Sequence, residues 1–157
     1  MSKNEKGFSP EVIMPFVKVM IHAVWGTKNR FPFLQKEIRP AVLAHISENA
    51  KLKGLYIDCL DGVEDHIHIL LGLNADVSIS KTIQLIKGET SYWINKKSLV
   101  KTRFEWADEY YAVSVSESKL DDVRKYINNQ EEHHRKKTFG EECDDFMKHY
   151  NFTTFQG

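Results

Sequence analysis

Two histidines, His66 and His68, stand one residue apart inside the apolar run VEDHIHILLG at positions 63–72. On a β-strand successive side chains point to opposite faces, so both imidazoles share one face while Ile67 and Ile69 share the other. The isoleucines can enter a core. The histidines must be solvated, hydrogen-bonded within the fold, or bound to something. Imidazoles so placed can chelate one ion and leave positions open for oxygen ligands and substrate. A pair of strand histidines bonded to their neighbours is the plainer alternative. Because neither lies on the core-facing register, replacing them is expected to change folding little.

Tyr126 and Gln130 are four residues apart. On a helix they stack on one face, with Asn129 adjacent and Val123 and Ile127 forming a neighbouring apolar stripe. Tyr126 then reads either as a packing residue with a solvated hydroxyl or as a nucleophile. A phenol titrates near ~10, so as a nucleophile it needs a base, a metal or local positive charge. Arg124 and Lys125 are sequence neighbours but do not share its helix face.

A third feature is basic. From Lys81 to Arg103 the cations are Lys81, Lys87, Lys96, Lys97, Lys101 and Arg103, against the single acid Glu89. Lys87, Lys96 and Lys97, interleaved with Tyr92 and Trp93, can grip phosphates and stack bases. Solvated lysines over core aromatics is the plainer reading. Gly88 inside this segment costs roughly 1 kcal/mol relative to alanine and marks a bend or a close approach. His133 and His134 read as surface residues, and EECDD at 141–145 as an acidic stretch.

The elements that must carry these residues follow from periodicity. FVKVMIHAVW at 16–25 reads as a strand covered on both faces. A helix over 36–53 stops at Gly54, and a strand at 55–60 joins the histidine strand through Asp61-Gly62 as a hairpin. A helix over 78–97 and a strand over 110–116 come next. Ser118 caps a long helix through VRKYINNQEEHHRKK, and Phe146 and Tyr150 mark a short last helix. The order β-α-β-β-α-β-α is that of an α+β, ferredoxin-like (split βαβ) sandwich with helices packed on an antiparallel sheet.

The 157 residues, 41% hydrophobic and 28% charged, fit one domain, with 1–14 and 151–157 expected to be flexible. Net charge is zero, which argues against indiscriminate coating of nucleic acid but not against a local stripe. Cys59 and Cys143 have no metal-site spacing. Neither a signal peptide nor a spanning segment is legible, so a reducing cytoplasm is the expected location.

In combination these features resemble the single-tyrosine HUH transposases of small bacterial insertion sequences, which move as single-stranded DNA. The likeness runs through VWGTKNRFPFL, GVEDHIHILLGL, SISKTIQLIKGETSYWIN, FEWADEYYAVSVSES and VRKYINNQEEHHRKKTF, in that order. The resemblance implies that His66, His68 and Gln130 hold a divalent ion, Mg²⁺ or Mn²⁺. It implies that Tyr126 attacks a DNA phosphorus and keeps the 5′ end as a phosphotyrosine. It also implies a homodimer in which one subunit's tyrosine helix can complete the other's metal site, hairpin DNA at the element's ends as partner, and a bacterial, nucleoid-associated location. Glu109-Tyr110-Tyr111 stands where relatives commonly carry Gly-Tyr-Gly, and the tail after His149 is short. A domesticated hairpin-binding protein of the same fold is the non-enzymatic alternative. A two-histidine phosphodiesterase would need two His-x-Ser/Thr motifs, and the sequence has a single one, His45-Ile46-Ser47.

Overall fold

The computed structural model describes residues 16–150; the expected flexibility of 1–14 and 151–157 lies outside the described residues. Four strands form one antiparallel sheet in the order β2-β3-β1-β4: β1 Met20–Gly26, β2 Tyr56–Gly62, β3 His66–Gly72 and β4 Tyr111–Val115. Alternation on the two central strands divides the molecule. Ile21, Ala23 and Trp25 of β1 join Ile67, Ile69 and Leu71 of β3 in one core. Met20, Leu70 and Val24 enter two smaller clusters on the opposite face.

Helices α1 (Arg39–Leu52) and α2 (Ile79–Lys96) cover the first face with Val42, Ile46, Ile83, Ile86 and Ile94. Each such side chain contributes about 1.5–3 kcal/mol by leaving water. Ser78 caps α2 by accepting from the Lys81 N–H at 3.1 Å, and α1 ends before Gly54, whose φ of +73° suits glycine. The β2–β3 hairpin closes with Val63 N–H donating to His66 O at 3.0 Å. A Cβ on Gly62 would meet that same carbonyl at 2.7 Å, so only glycine fits there.

The second face is covered by α3 (Leu120–Asn128), α4 (Gln130–Lys136) and α5 (Phe139–Tyr150). The sequence suggests one continuous helix over 118–137 ahead of the short last one, but the structure breaks it. Glu117–Lys119 form a 3₁₀ turn, and Ser118 meets the Ser116 hydroxyl at 3.3 Å instead of capping. Asn129 then leaves helical geometry (φ −117°, ψ 33°). Two consecutive asparagines, whose side chains compete with the helix for backbone groups, account for the weakness at that point. Tyr92, expected in the core, is exposed. Among the described residues no helix is long and apolar enough to cross a membrane.

Leu120 and Ile127 seat α3 on Met20 and Leu70. A second fastening is ionic: the Arg124 guanidinium donates to both carboxylate oxygens of Asp58 on β2, at 2.8 and 2.7 Å. Asp58 is the extra residue of a bulge, since Ile57 pairs with Leu71 and Cys59 with Leu70. Arg124 holds the Asp58 carboxyl below its usual range. A depressed carboxylate contributes stability that is full above the unfolded value, near ~3.9, and is lost as pH falls through the folded one. Urea melts from pH 6 downward should therefore show an advantage of wild type over Asp58→Asn that shrinks below about pH 4. An advantage unchanged at pH 2 would detach the effect from the carboxylate.

Candidate active site

His66 and His68 share a strand face as expected, but that face is not open. Both are fully buried beneath the C-terminal helices, so the expectation that their replacement would barely affect folding does not hold. Alternation puts them opposite the large core, and α5 covers them. Phe139 stacks on the His66 ring at 4.3 Å with the planes 6° apart.

The group that α5 brings to them is Glu142. Its Oε2 lies 3.1 Å from His66 Nε2 and its Oε1 3.0 Å from His68 Nε2. The Tyr126 hydroxyl donates to the same Oε1. Burial alone would raise the Glu142 carboxyl, yet the adjoining His66 and His68 imidazoles and the Tyr126 hydroxyl hold it far below the usual range. Burial would lower His66, but the Asp65 and Glu142 carboxylates raise it; for His68 burial prevails and lowers it. Glu142 sits in the acidic stretch 141–145, which gave no hint of a site by composition. Phe139 and Cys143, four apart and both buried, define the inner stripe of α5 and place Glu142 on it; that spacing was the available signal.

His66, His68 and Glu142 can offer ligand atoms that all lie within 4.8 Å of one another. His66 Nε2 is buried and makes no hydrogen bond among the described residues. Gln130, 1% exposed, donates through Nε2 to the Tyr126 carbonyl at 3.1 Å, and its buried Oε1 has no hydrogen-bond partner there either. Two imidazoles and a carboxylate fit a divalent cation, and the mixed N/O set suits Mn²⁺ at least as well as Mg²⁺. Each histidine is also held from behind. His66 Nδ1 meets Asp65 Oδ1 at 2.8 Å, and His68 Nδ1 meets His22 Nε2 at 2.9 Å. Burial, helped by the His68 imidazole, pushes His22 down to about 3.

Tyr126 lies beside its own chain's histidines despite the helix break, with His133 tilted over its ring at 4.4 Å. His134 reaches Glu64 at 2.7 Å. The histidine pair at 133–134 therefore packs around the site rather than facing solvent alone. A cavity of about 830 Å³ opens next to Tyr126, lined by His22, Lys119, His133, Lys136 and Glu142 among others. The basic residues of α2 are not part of it. Lys87 Nζ donates to the carbonyls of Ala107 and Asp108, at 2.6 and 3.3 Å, and Lys96 lies over the Tyr92 ring. Lys97 forms the C-cap of α2. A Cβ on Gly88 would meet nothing within 4 Å, so no close approach explains that glycine.

The family described as Transposase IS200 like matches residues 16–130, which include the histidine pair, Tyr126 and Gln130. The chain belongs to that family. As an IS200-like transposase it is a DNA-cleaving enzyme. It is 25% identical over 115 residues to the ISDra2 transposase TnpA of Deinococcus radiodurans, covering 69% of this chain and 81% of that one. A crystal structure from D. radiodurans R1, assigned as a transposase, superposes with a TM-score of 0.61 at 24% identity over 75% of this chain and 95% of its own. A REP-associated tyrosine transposase bound to a REP hairpin gives 0.55 at 16% identity, over 82% and 74%. These two likenesses are of fold. Glu142 lies beyond the family-matched span of this IS200-like transposase.

Proposed function

We propose that this transposase cleaves and rejoins single-stranded DNA at the ends of an insertion sequence through a 5′-phosphotyrosine on Tyr126. The contact that carries the reading is the Tyr126 hydroxyl donating to a carboxylate that also faces both histidine Nε2 atoms. The phenol oxygen is thereby held where its proton has an acceptor. The oxygen attacks phosphorus, the bond to the 3′ oxygen breaks, and a free 3′-OH leaves. Rejoining is the reverse, so no nucleotide triphosphate is consumed. His66, His68, Glu142 and Gln130 would hold a divalent ion, Mg²⁺ or Mn²⁺, which when bound supplies charge stabilisation at the scissile phosphate.

Hairpin-ended single-stranded DNA is the proposed partner, consistent with the hairpin held by the REP-associated relative, and the working unit proposed is a homodimer. The cavity beside Tyr126, with Lys119 and Lys136 on its wall, suits the strand being cut. The decisive experiment incubates the protein with hairpin-bearing single-stranded DNA from its genomic flanks and Mn²⁺. A covalent adduct mapping to Tyr126 is expected; an adduct on another residue, or none from any flank, would reject the mechanism.

Lys96 and Lys97 remain candidates for phosphate contacts on α2, and Lys87 is the weakest of the three because its ammonium serves two carbonyls. Replacing Lys96 or Lys97 with alanine should lower the salt dependence of DNA binding by about one phosphate contact. Replacing Lys87 should instead loosen the 107–108 segment. Unchanged salt slopes for Lys96→Ala and Lys97→Ala would return both to solvated surface.

A further inference from the structure

His22 lies just ahead of the VWGTKNRFPFL stretch, and it is 4% exposed and bonded to one of the two central histidines. In the β1–β3 register Val24 faces His68 and His22 faces Leu70. His22 is thus the diagonal neighbour of His68 on the same sheet face, within reach of an aromatic side chain. Its Nε2 stands 2.9 Å from His68 Nδ1, with ring centres 5.2 Å apart.

We propose that His22 is a positioning residue, which fixes His68 in the tautomer and orientation that present its Nε2 lone pair to a metal. The inference rests on the divalent-ion reading above. A neutral imidazole has one donor and one acceptor nitrogen. For Nε2 of His68 to ligate, the proton must sit on Nδ1, and the atom facing Nδ1 must then accept. His22 Nε2 is that acceptor, with its own proton on Nδ1. A donor at this place would reverse the arrangement and put the His68 proton on the nitrogen that faces Glu142. His66 is served in the same way by the Asp65 carboxylate, so the two ligands receive unlike support, one from an anion and one from a neutral ring. Outer partners of this kind typically change metal affinity 10–100-fold.

The test uses the full chain without DNA and follows Mn²⁺ uptake by electron paramagnetic resonance. His22→Leu should weaken Mn²⁺ binding by about 10–100-fold. His22→Gln, able to turn its amide oxygen toward His68, should recover most of the loss. Wild-type affinity in a folded His22→Leu protein would overturn the proposal, as would equal loss in both variants, which would mean packing alone. If His22→Leu does not fold, imidazole ¹⁵N shifts of the Mg²⁺-loaded wild type decide instead. A His22 proton on Nδ1, which leaves its Nε2 to accept from His68, supports the assignment, and one on Nε2 overturns it. No Mn²⁺ uptake by wild type would bring down the metal reading and this inference with it. Uptake lost in His66→Ala but unchanged in His22→Leu would remove this inference alone.

Discussion

Tyr126→Phe should bind hairpin DNA like the wild type and form no covalent adduct, a loss of at least roughly 10³-fold in cleavage. The substitution keeps the ring that packs against His133 and the Leu120–Ile127 cluster and deletes only the oxygen that meets Glu142. Gel-shift titration and adduct capture, run on one preparation, separate the two effects. Mixing this variant with a His66→Ala, His68→Ala chain then asks whose histidines the tyrosine serves. Arg124 and Ile127 fasten α3 to its own sheet, so the expected yield from mixed dimers is nil. Adduct on the histidine-deficient chain would show that the tyrosine segment crosses between subunits.

The second large effect concerns the buried polar centre. His66→Ala or His68→Ala should reduce Mn²⁺ affinity by more than the roughly 100-fold that loss of an outer partner costs. Either should also destabilise the fold by about 3–5 kcal/mol, because the Glu142 carboxylate stays buried with one imidazole fewer. Glu142→Gln should be gentler on stability, since an amide needs no counter-charge, yet should still lose most metal affinity. Calorimetric titration with Mn²⁺ and urea denaturation measure the two quantities. Full metal affinity in Glu142→Gln would leave the histidines and Gln130 as the ligand set and Glu142 as their hydrogen-bond partner only.

The sheet and its helices were legible because the signals were local: the β-forming run of β1 ending at Gly26, the histidine–isoleucine alternation of β3, Ser78 ahead of α2, Gly54 after α1. The histidine pair was legible as a shared face, but not as a buried one, because what covers it comes from some seventy residues further on. Glu142 was hidden for the same reason. Its meaning depends on which face of α5 docks, and a run of acids gives no hint of burial. His22 was hidden by its setting, a strand buried on both sides, where a polar residue has no periodic position to violate. The helix break at Asn129 was readable in principle from the paired asparagines; the strong apolar stripe of Val123 and Ile127 masked it.

The bulge in β2 gives one strand two successive residues on its helix side, Asp58 for the Arg124 fork and Cys59 for the cluster under α3. A regular ladder could supply only one. The arrangement makes the tyrosine helix sensitive to length as well as to chemistry. A one-residue deletion between Ile57 and Leu60 would leave β2 able to zip onto β3 in perfect alternation, its core face intact. The same deletion would strip the helix side of either its anchor or its packing residue. Sheet assembly and the placement of Tyr126, the proposed nucleophile, can therefore be uncoupled by a single codon.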